Sequence, residues 1–289
     1  MITNIVKSTD SLPLTCSRKG SCCHGNQVFL NPWELTQLAK EKETTPKNII
    51  DLFCENGGIQ LKFKGKTDNR GNSACNLYTE DFGCSAHKGR PLPCRLFPLG
   101  RQIQNDEAQY VFQGKDFPCI TNDCPEVLEL PNLTVGNYLK GQETELFENA
   151  QDEYLEVMQN LADIAFTLLL DTDLAQSGDK TTLQLWRKMG DELPQDLSKR
   201  IPSKWMDALM LPEIDSKENT PSKFIQLHNE LLQTKAQLEF ESIQTLDEIK
   251  NACIQIMAIT LFLAKGIGAN PKALVELWVE IAKDNGAEE

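Results

Sequence analysis

Positive charge is in short supply in this 289-residue chain. Its 29 Lys and Arg face 42 Asp and Glu, which gives a net charge of −13 and a pI of about 4.8. Proteins that bind bare nucleic acid or an anionic membrane surface need the opposite balance, so neither partner is expected. Histidine is scarcer still. His24, His87 and His228 are the full set, which leaves little material for histidine-based acid–base chemistry. The sequence has no GxxxxGK[ST] phosphate loop, no GxGxxG after a strand, no GxSxG, no HExxH and no radical-type CxxxCxxC. Met1 to Leu14 lacks a basic stretch followed by an apolar one, so no secretory signal is read and a cytoplasmic location is expected. The longest uncharged apolar run, Cys253 to Ala264, is a dozen residues, short of the roughly 20 that a spanning helix needs. Repeats of fixed period and low-complexity tracts are also missing.

What is present divides into two regions. Residues 1–130 carry 15 basic and 15 acidic residues, so the whole excess of negative charge lies in 131–289. Nine of the ten cysteines precede residue 125, leaving only Cys253 beyond it. We therefore expect a cysteine-rich domain over 1–130 and an acidic α-helical domain over 131–289. The fold class is α+β, mostly α, with an irregular N-terminal part stapled by metal. The acidic helical faces are read as solvated surface, with a protein partner there as the minority reading.

Helix signals support this division. Asn31-Pro32-Trp33-Glu34 and Thr45-Pro46 each place a cap before a Pro at the first helical position. Ile59, Leu61 and Phe63 alternate with polar residues as a half-buried strand, and Tyr110 and Phe112 suggest another. From about Thr134 the apolar spacing is helical, through Tyr138, Phe147, Tyr154, Leu155, Met158 and Leu161, as one long helix or two. Ser203 is read as a cap, Thr220-Pro221 opens a helix, and Thr245 to Glu248 form a capping box. Gly266 and Gly268 end that helix, and Asn270-Pro271 starts the last one.

The chemistry lies in the cysteines. In a reducing compartment, clustered thiols more often bind metal or do redox work than form disulfides. Cys16, Cys22, Cys23, Cys75, Cys84 and Cys94, with Cys119 and Cys124 behind them, are the candidate ligands. Gly20, Gly25, Gly83, Gly89 and Pro91 stand among them. The spacing is neither that of a zinc finger nor that of a bacterial ferredoxin run. Neighbouring side chains diverge, so the vicinal Cys22-Cys23 fits a multinuclear cluster or two sites more easily than one tetrahedral ion. Cys54, beside Ile50 and Phe53, and Cys253, between Ala252 and Ile254, are read as core. Trp186, Trp205 and Trp278 are read the same way.

Cys16-x5-Cys22-Cys23, then Cys75, then Cys84-Ser85-Ala86-His87-Lys88-Gly89-Arg90-Pro91-Leu92-Pro93-Cys94-Arg95-Leu96-Phe97-Pro98, resembles the YkgJ-type cysteine-cluster family of zinc- or iron-chelating domains. The likeness covers Cys16 to Cys124, and His87 stands where the family has an aromatic residue. The resemblance implies a bound metal centre: an iron–sulfur cluster, with 4Fe-4S the expected form and zinc the alternative. Flagellin lysine-N-methylase is among the relatives, which implies S-adenosylmethionine-dependent protein lysine methylation as a further, enzymatic alternative. Arg90 and Arg95 have two readings. They either compensate the charge of an anionic cluster or act as a salt bridge or clamp on loop carbonyls.

Overall fold

The computed structural model describes residues 5–15, 20–80, 82–104, 107–112, 129–214, 220–241 and 243–289. The fold class is as expected, α+β and mostly α, with small sheets towards the N-terminus and helices after them. Two compact units are formed. One contains residues 1–30, 34–55 and 60–148, and the other contains 31–33, 56–59 and 149–289.

The first unit is built from short pieces. Strands β1 (Ile5–Val6), β8 (Glu107–Phe112) and β7 (Leu99–Gln104) form an antiparallel sheet in that order, with Leu99 opposite Phe112 and Ile5 opposite Val111. Three two-stranded ladders add to it: β2 (Ser11–Leu12) with β9 (Leu133–Thr134), β3 (Cys54–Glu55) with β4 (Gln60–Leu61), and β5 (Tyr78–Thr79) with β6 (Gly83–Cys84). Helices α1 (Pro32–Glu41), α2 (Pro46–Phe53), α3 (Leu92–Leu96) and α4 (Val135–Gln142) complete it, α1 beginning at the edge of the unit. Thr45 caps α2 by accepting from the Asn48 N–H at 3.2 Å, and Thr134 does the same for α4 from Asn137. A small core gathers Leu14, Leu99, Val135 and Tyr138, with Val6, Leu12, Phe112, Leu133 and Leu139 packed on it.

The alternating Ile59, Leu61 and Phe63 give less strand than their pattern predicts. Asn56–Gly58 form a tight turn, and pairing is confined to Gln60–Leu61 against Cys54–Glu55. The ladder continues for one more hydrogen bond, from Lys62 N–H to the Phe53 carbonyl at 2.8 Å.

The second unit is helical. Helix α5 (Glu145–Leu170) is separate from α4 because Glu143 adopts a left-handed conformation, φ 53°, at the end of α4. Then follow α6 (Thr181–Asp191), α7 (Pro194–Arg200), α8 (Ser203–Met210), α9 (Pro221–Phe240), α10 (Leu246–Gly266) and α11 (Pro271–Asp284). Helix α10 packs against α6, α7 and α11, and α11 packs on α6. Residues from Ile256 to Ala264 are buried without interruption, which accounts for the apolar run in the sequence. The helix that carries this run is 21 residues long, longer than the run itself, and by length and composition alone it could cross a membrane. Its side chains are, however, mostly buried within the protein.

Trp186, Trp205, Tyr154 and Phe262 are among the largest fully buried side chains. Each large apolar side chain so buried contributes roughly 1.5–3 kcal/mol relative to exposure. The Thr245–Glu248 capping box is present, and Thr220 and Asn270 cap α9 and α11 as read from the sequence. Ser203 is a correction. It is the first helical residue, and Pro202 stands at the cap position with no side-chain hydrogen bond. Pro202 fixes the entry of the helix through its backbone, so no hydroxyl is needed there.

Candidate metal centre

The cysteines reach one another because three backbone devices fold their segments together. Cys22 and Cys23 lie on a short 3-10 turn, Ser21–Cys23, which the chain enters through Gly20 at φ 74°. A Cβ on Gly20 would stand 2.1 Å from the Tyr78 ring, so both the conformation and the space call for glycine. The second device is a local zipper. Cys75 N–H donates to the Cys23 carbonyl at 2.7 Å, Gly25 N–H donates to Ser73 at 3.0 Å, and His24 pairs with Ala74. The third is the β5–β6 hairpin, which sets Cys84 opposite Tyr78, three residues after Cys75.

Cys94 arrives on α3, a helix of five residues held from outside. At its N-terminus the buried Glu34 carboxylate accepts from Leu92 N–H at 2.6 Å. At its C-terminus Tyr138 donates its hydroxyl to the carbonyls of Arg95, at 3.1 Å, and Phe97. The loop before α3 runs close over α1. A Cβ on Gly89 would meet the Gln37 carbonyl at 2.5 Å.

Four of the candidate ligands therefore share one electrostatic environment. Burial pushes the Cys94 thiol well up from its ordinary value, and Cys75, Cys84 and Cys22 push it further. Burial also raises Cys75 to about 11, with Cys84 adding to the shift, and it raises Cys84. The Cys22 and Cys23 sulfurs are 4.0 Å apart. Cys23, Cys75, Cys84 and Cys94 are not in disulfides. Among the described residues, no three His, Cys, Asp or Glu side chains close to a geometry that could hold a metal ion. The donor chemistry nonetheless fits a thiophilic metal. Neighbouring buried thiols cannot all ionise beside one another, and a cation removes that penalty while taking the place of their protons.

Two cations face the group. Arg90 favours the thiolate at Cys84 and Cys94, and Lys42 favours it at Cys84, while Glu41 opposes them there. Lys42 Nζ lies 3.4 Å from the Ser85 hydroxyl. Arg90, 8% exposed, donates from Nη1 towards His87 Nδ1 at 3.0 Å and to the His87 carbonyl, and from Nη2 to the Gln142 side-chain oxygen.

Arg95 is 2% exposed and is arranged as a carbonyl clamp. Its Nε donates to Arg90 O at 2.9 Å, Nη1 to Gln142 O at 2.6 Å and Nη2 to Lys88 O. Its guanidinium carbon lies 3.7 Å from the Phe147 ring centroid. Burial, then Arg90, lowers its pKa to about 10, so it remains a cation at neutral pH.

Cys16, Cys119 and Cys124 lie outside the described residues. Cys54 is buried, 2% exposed, and burial pushes its thiol up to about 12. Its surroundings include Cys75, so the residue read as core borders the ligand group. Cys253 is fully buried in α10, with its sulfur 3.4 Å from the Ala165 carbonyl. Sequence reasoning missed Glu34, Lys42, Tyr138 and Gln142. Glu34 was visible only as a residue in the first turn of its own helix and Tyr138 only in the apolar spacing of its own, and nothing in the sequence marks Lys42 or Gln142.

Residues 15–119 match the family model CxxCxxCC, described as "Putative zinc- or iron-chelating domain". Over this segment, about a third of the chain, the sequence is similar to that zinc- or iron-chelating family. No curated protein and no solved structure matches the chain. The matched segment contains Cys16, Cys22, Cys23, Cys54, Cys75, Cys84, Cys94 and Cys119. Arg90 and Arg95 lie within it too, whereas Cys124 and the whole helical unit from residue 149 lie beyond it.

Proposed function

We propose that the cysteine-bearing unit holds an iron–sulfur cluster on the thiolates of Cys22, Cys75, Cys84 and Cys94, with Cys23 beside them. The observation that carries this reading is the convergence of cysteines from separate chain segments: Cys75 N–H donates to the Cys23 carbonyl at 2.7 Å, the Cys22 and Cys23 sulfurs lie 4.0 Å apart, the β5–β6 hairpin returns Cys84 opposite Tyr78, and Cys94 feels the charges of Cys75, Cys84, Cys22 and Arg90. A thiolate-ligated cluster is anionic, and nearby cations and hydrogen-bond donors offset its charge. When bound, such a cluster supplies one-electron chemistry. The protein's own residues bring the thiols together, bury Cys75, half-bury the others and set the charge of Arg90 where it favours thiolates at Cys84 and Cys94. Cys16, Cys119 and Cys124 are further candidate ligands from the sequence.

A second reading has its own support. Four thiols are also the complement of one closed tetrahedral zinc site, in which metal would take the place of missing core. Elemental analysis of anaerobically purified protein, with a visible absorption spectrum, separates the two. Iron with inorganic sulfide and visible absorption supports the cluster. Zinc with no visible band overturns it in favour of the structural site.

A further inference from the structure

Gln142, the last residue of α4, is held twice, by Arg90 from the loop between Cys84 and Cys94 and by Arg95 from α3. Its side-chain oxygen accepts from Arg90, and its backbone carbonyl accepts from Arg95 at 2.6 Å. The remaining donors of the same two guanidinium groups turn back into the loop, Arg90 to the His87 carbonyl and Arg95 to the carbonyls of Lys88 and Arg90. Arg95 also lies over the Phe147 ring and 4.0 Å from Glu143. Each arginine therefore bridges the cysteine loop and the corner from Gln142 to Phe147.

The last carbonyls of a helix have no partners within it, and a cation at that end is favourable. A buried guanidinium is tolerated only while its donors are satisfied. Arg95 can keep its position only if the carbonyls of Lys88, Arg90 and Gln142 converge. Two of these belong to the loop whose ends are Cys84 and Cys94.

We propose that Arg95, with Arg90, couples metal occupancy at Cys84 and Cys94 to the order of the Gln142–Phe147 corner. Metal fixes both ends of the loop, and the loop carbonyls then hold Arg95 where it secures Gln142 and Phe147. Loss of metal frees the loop, removes two of the three acceptors and releases the corner. Arg95 is a positioning residue in this scheme and Gln142 is what it positions. The proposal rests on metal ligation by these cysteines, whichever metal is bound.

Hydrogen exchange on the full chain tests it, comparing protein as purified, its iron and zinc quantified, with the same protein after chelation. The amides of Glu143, Thr144 and Phe147 now donate to Lys140, Leu139 and Thr144 carbonyls. Chelation should speed their exchange about tenfold or more in the wild type. In Arg95→Gln with wild-type metal content, exchange should already be fast and chelation should change it less than about twofold. Arg95→Lys keeps the charge but not the fork, and should not restore the response. If Arg95→Gln does not fold, Gln142→Ala removes the oxygen held by Arg90 and should blunt the response; a full response would count against the coupling. Unchanged wild-type exchange after confirmed metal loss, or a full response in Arg95→Gln, overturns the coupling alone. A wild-type chain found to hold no metal overturns metal ligation, and the coupling with it.

Discussion

The two units reach stability by different means. The helical unit buries a continuous apolar helix, α10, with Trp186, Trp205 and Phe262 fully enclosed in the same unit. The cysteine-bearing unit is made of one small three-stranded sheet, three two-residue ladders and four helices of ten residues or fewer, with a small core around Leu14, Leu99, Val135 and Tyr138 and further buried side chains such as Leu35, Leu38, Ile49 and Leu77. Between Asn69 and Pro98 the structure is held by a few buried side chains, among them Leu77, Leu92 and Leu96, by backbone hydrogen bonds, by Glu34 and Tyr138 at the ends of α3, and by Arg90 and Arg95. A region built this way depends on its cross-links, and here the cross-link on offer is metal. A region built like the helical unit does not.

The largest expected effect follows from that contrast. Chelation should make the segment from Asn69 to Pro98 sensitive to protease while the helical unit stays resistant. Limited proteolysis with mass spectrometry reads both at once. A segment equally resistant with and without metal would erase the proposed difference between the units.

The converse test removes core rather than metal. Phe262→Ala should destabilise the helical unit by about 3–5 kcal/mol through lost burial and the cavity left behind. All four tryptophans belong to that unit, so their fluorescence in a urea titration follows it. Metal content should stay at the wild-type level. A variant that loses metal along with stability would show that the two units are not independent in folding.

A smaller effect depends on pH. His228 is buried, with Nε2 3.0 Å from the Ala208 carbonyl and Nδ1 2.9 Å from the Tyr154 hydroxyl. A neutral imidazole satisfies both if Nε2–H donates to Ala208 and Nδ1 accepts from Tyr154. Burial holds its pKa down at about 4, below the ordinary 6.5. The unfolded chain therefore takes up a proton before the folded one does. His228 leaves stability intact above about pH 6.5 and erodes it as pH falls towards 4, by about 3 kcal/mol in all. Urea titrations at pH 7 and pH 4.5 should show this loss, and His228→Gln should reduce it. An unchanged pH slope in that variant would place the titrating group elsewhere. The smallest effect is at the capping box, where Thr245→Ala should cost about 1 kcal/mol in the same titration and leave metal content alone.

Much of this architecture was legible in the sequence, because its signals act locally. Thr45-Pro46, Thr220-Pro221, Thr245–Glu248 and Asn270-Pro271 each carry their own hydrogen-bond logic, and helices begin at all four places. The half-turn at Glu143 that separates α4 from α5 has no such signal, since a left-handed glutamate is stabilised by its surroundings rather than by its own preference. The strand around Leu61 is shorter than its alternation suggests because a partner of only two residues faces it. At the candidate site, the cysteines announced themselves by clustering. Their supporting residues did not. Gln142 is 48 positions from Cys94, Glu34 is 60 away, and only folding makes them neighbours of the loop and helix that carry it. Arg95 was open to two roles in the sequence, and its three carbonyl partners are those of a clamp.

The central claim is that Cys22, Cys84 and Cys94 are metal ligands while Cys253 is packing. Elemental analysis of four purified serine variants tests it most directly, because a hydroxyl is a poor ligand for a soft metal. Cys22→Ser, Cys84→Ser and Cys94→Ser should each lose most of the metal bound by the wild type, and Cys253→Ser should retain it in full. Wild-type metal content in all three N-terminal variants, or loss confined to Cys253→Ser, would contradict the account.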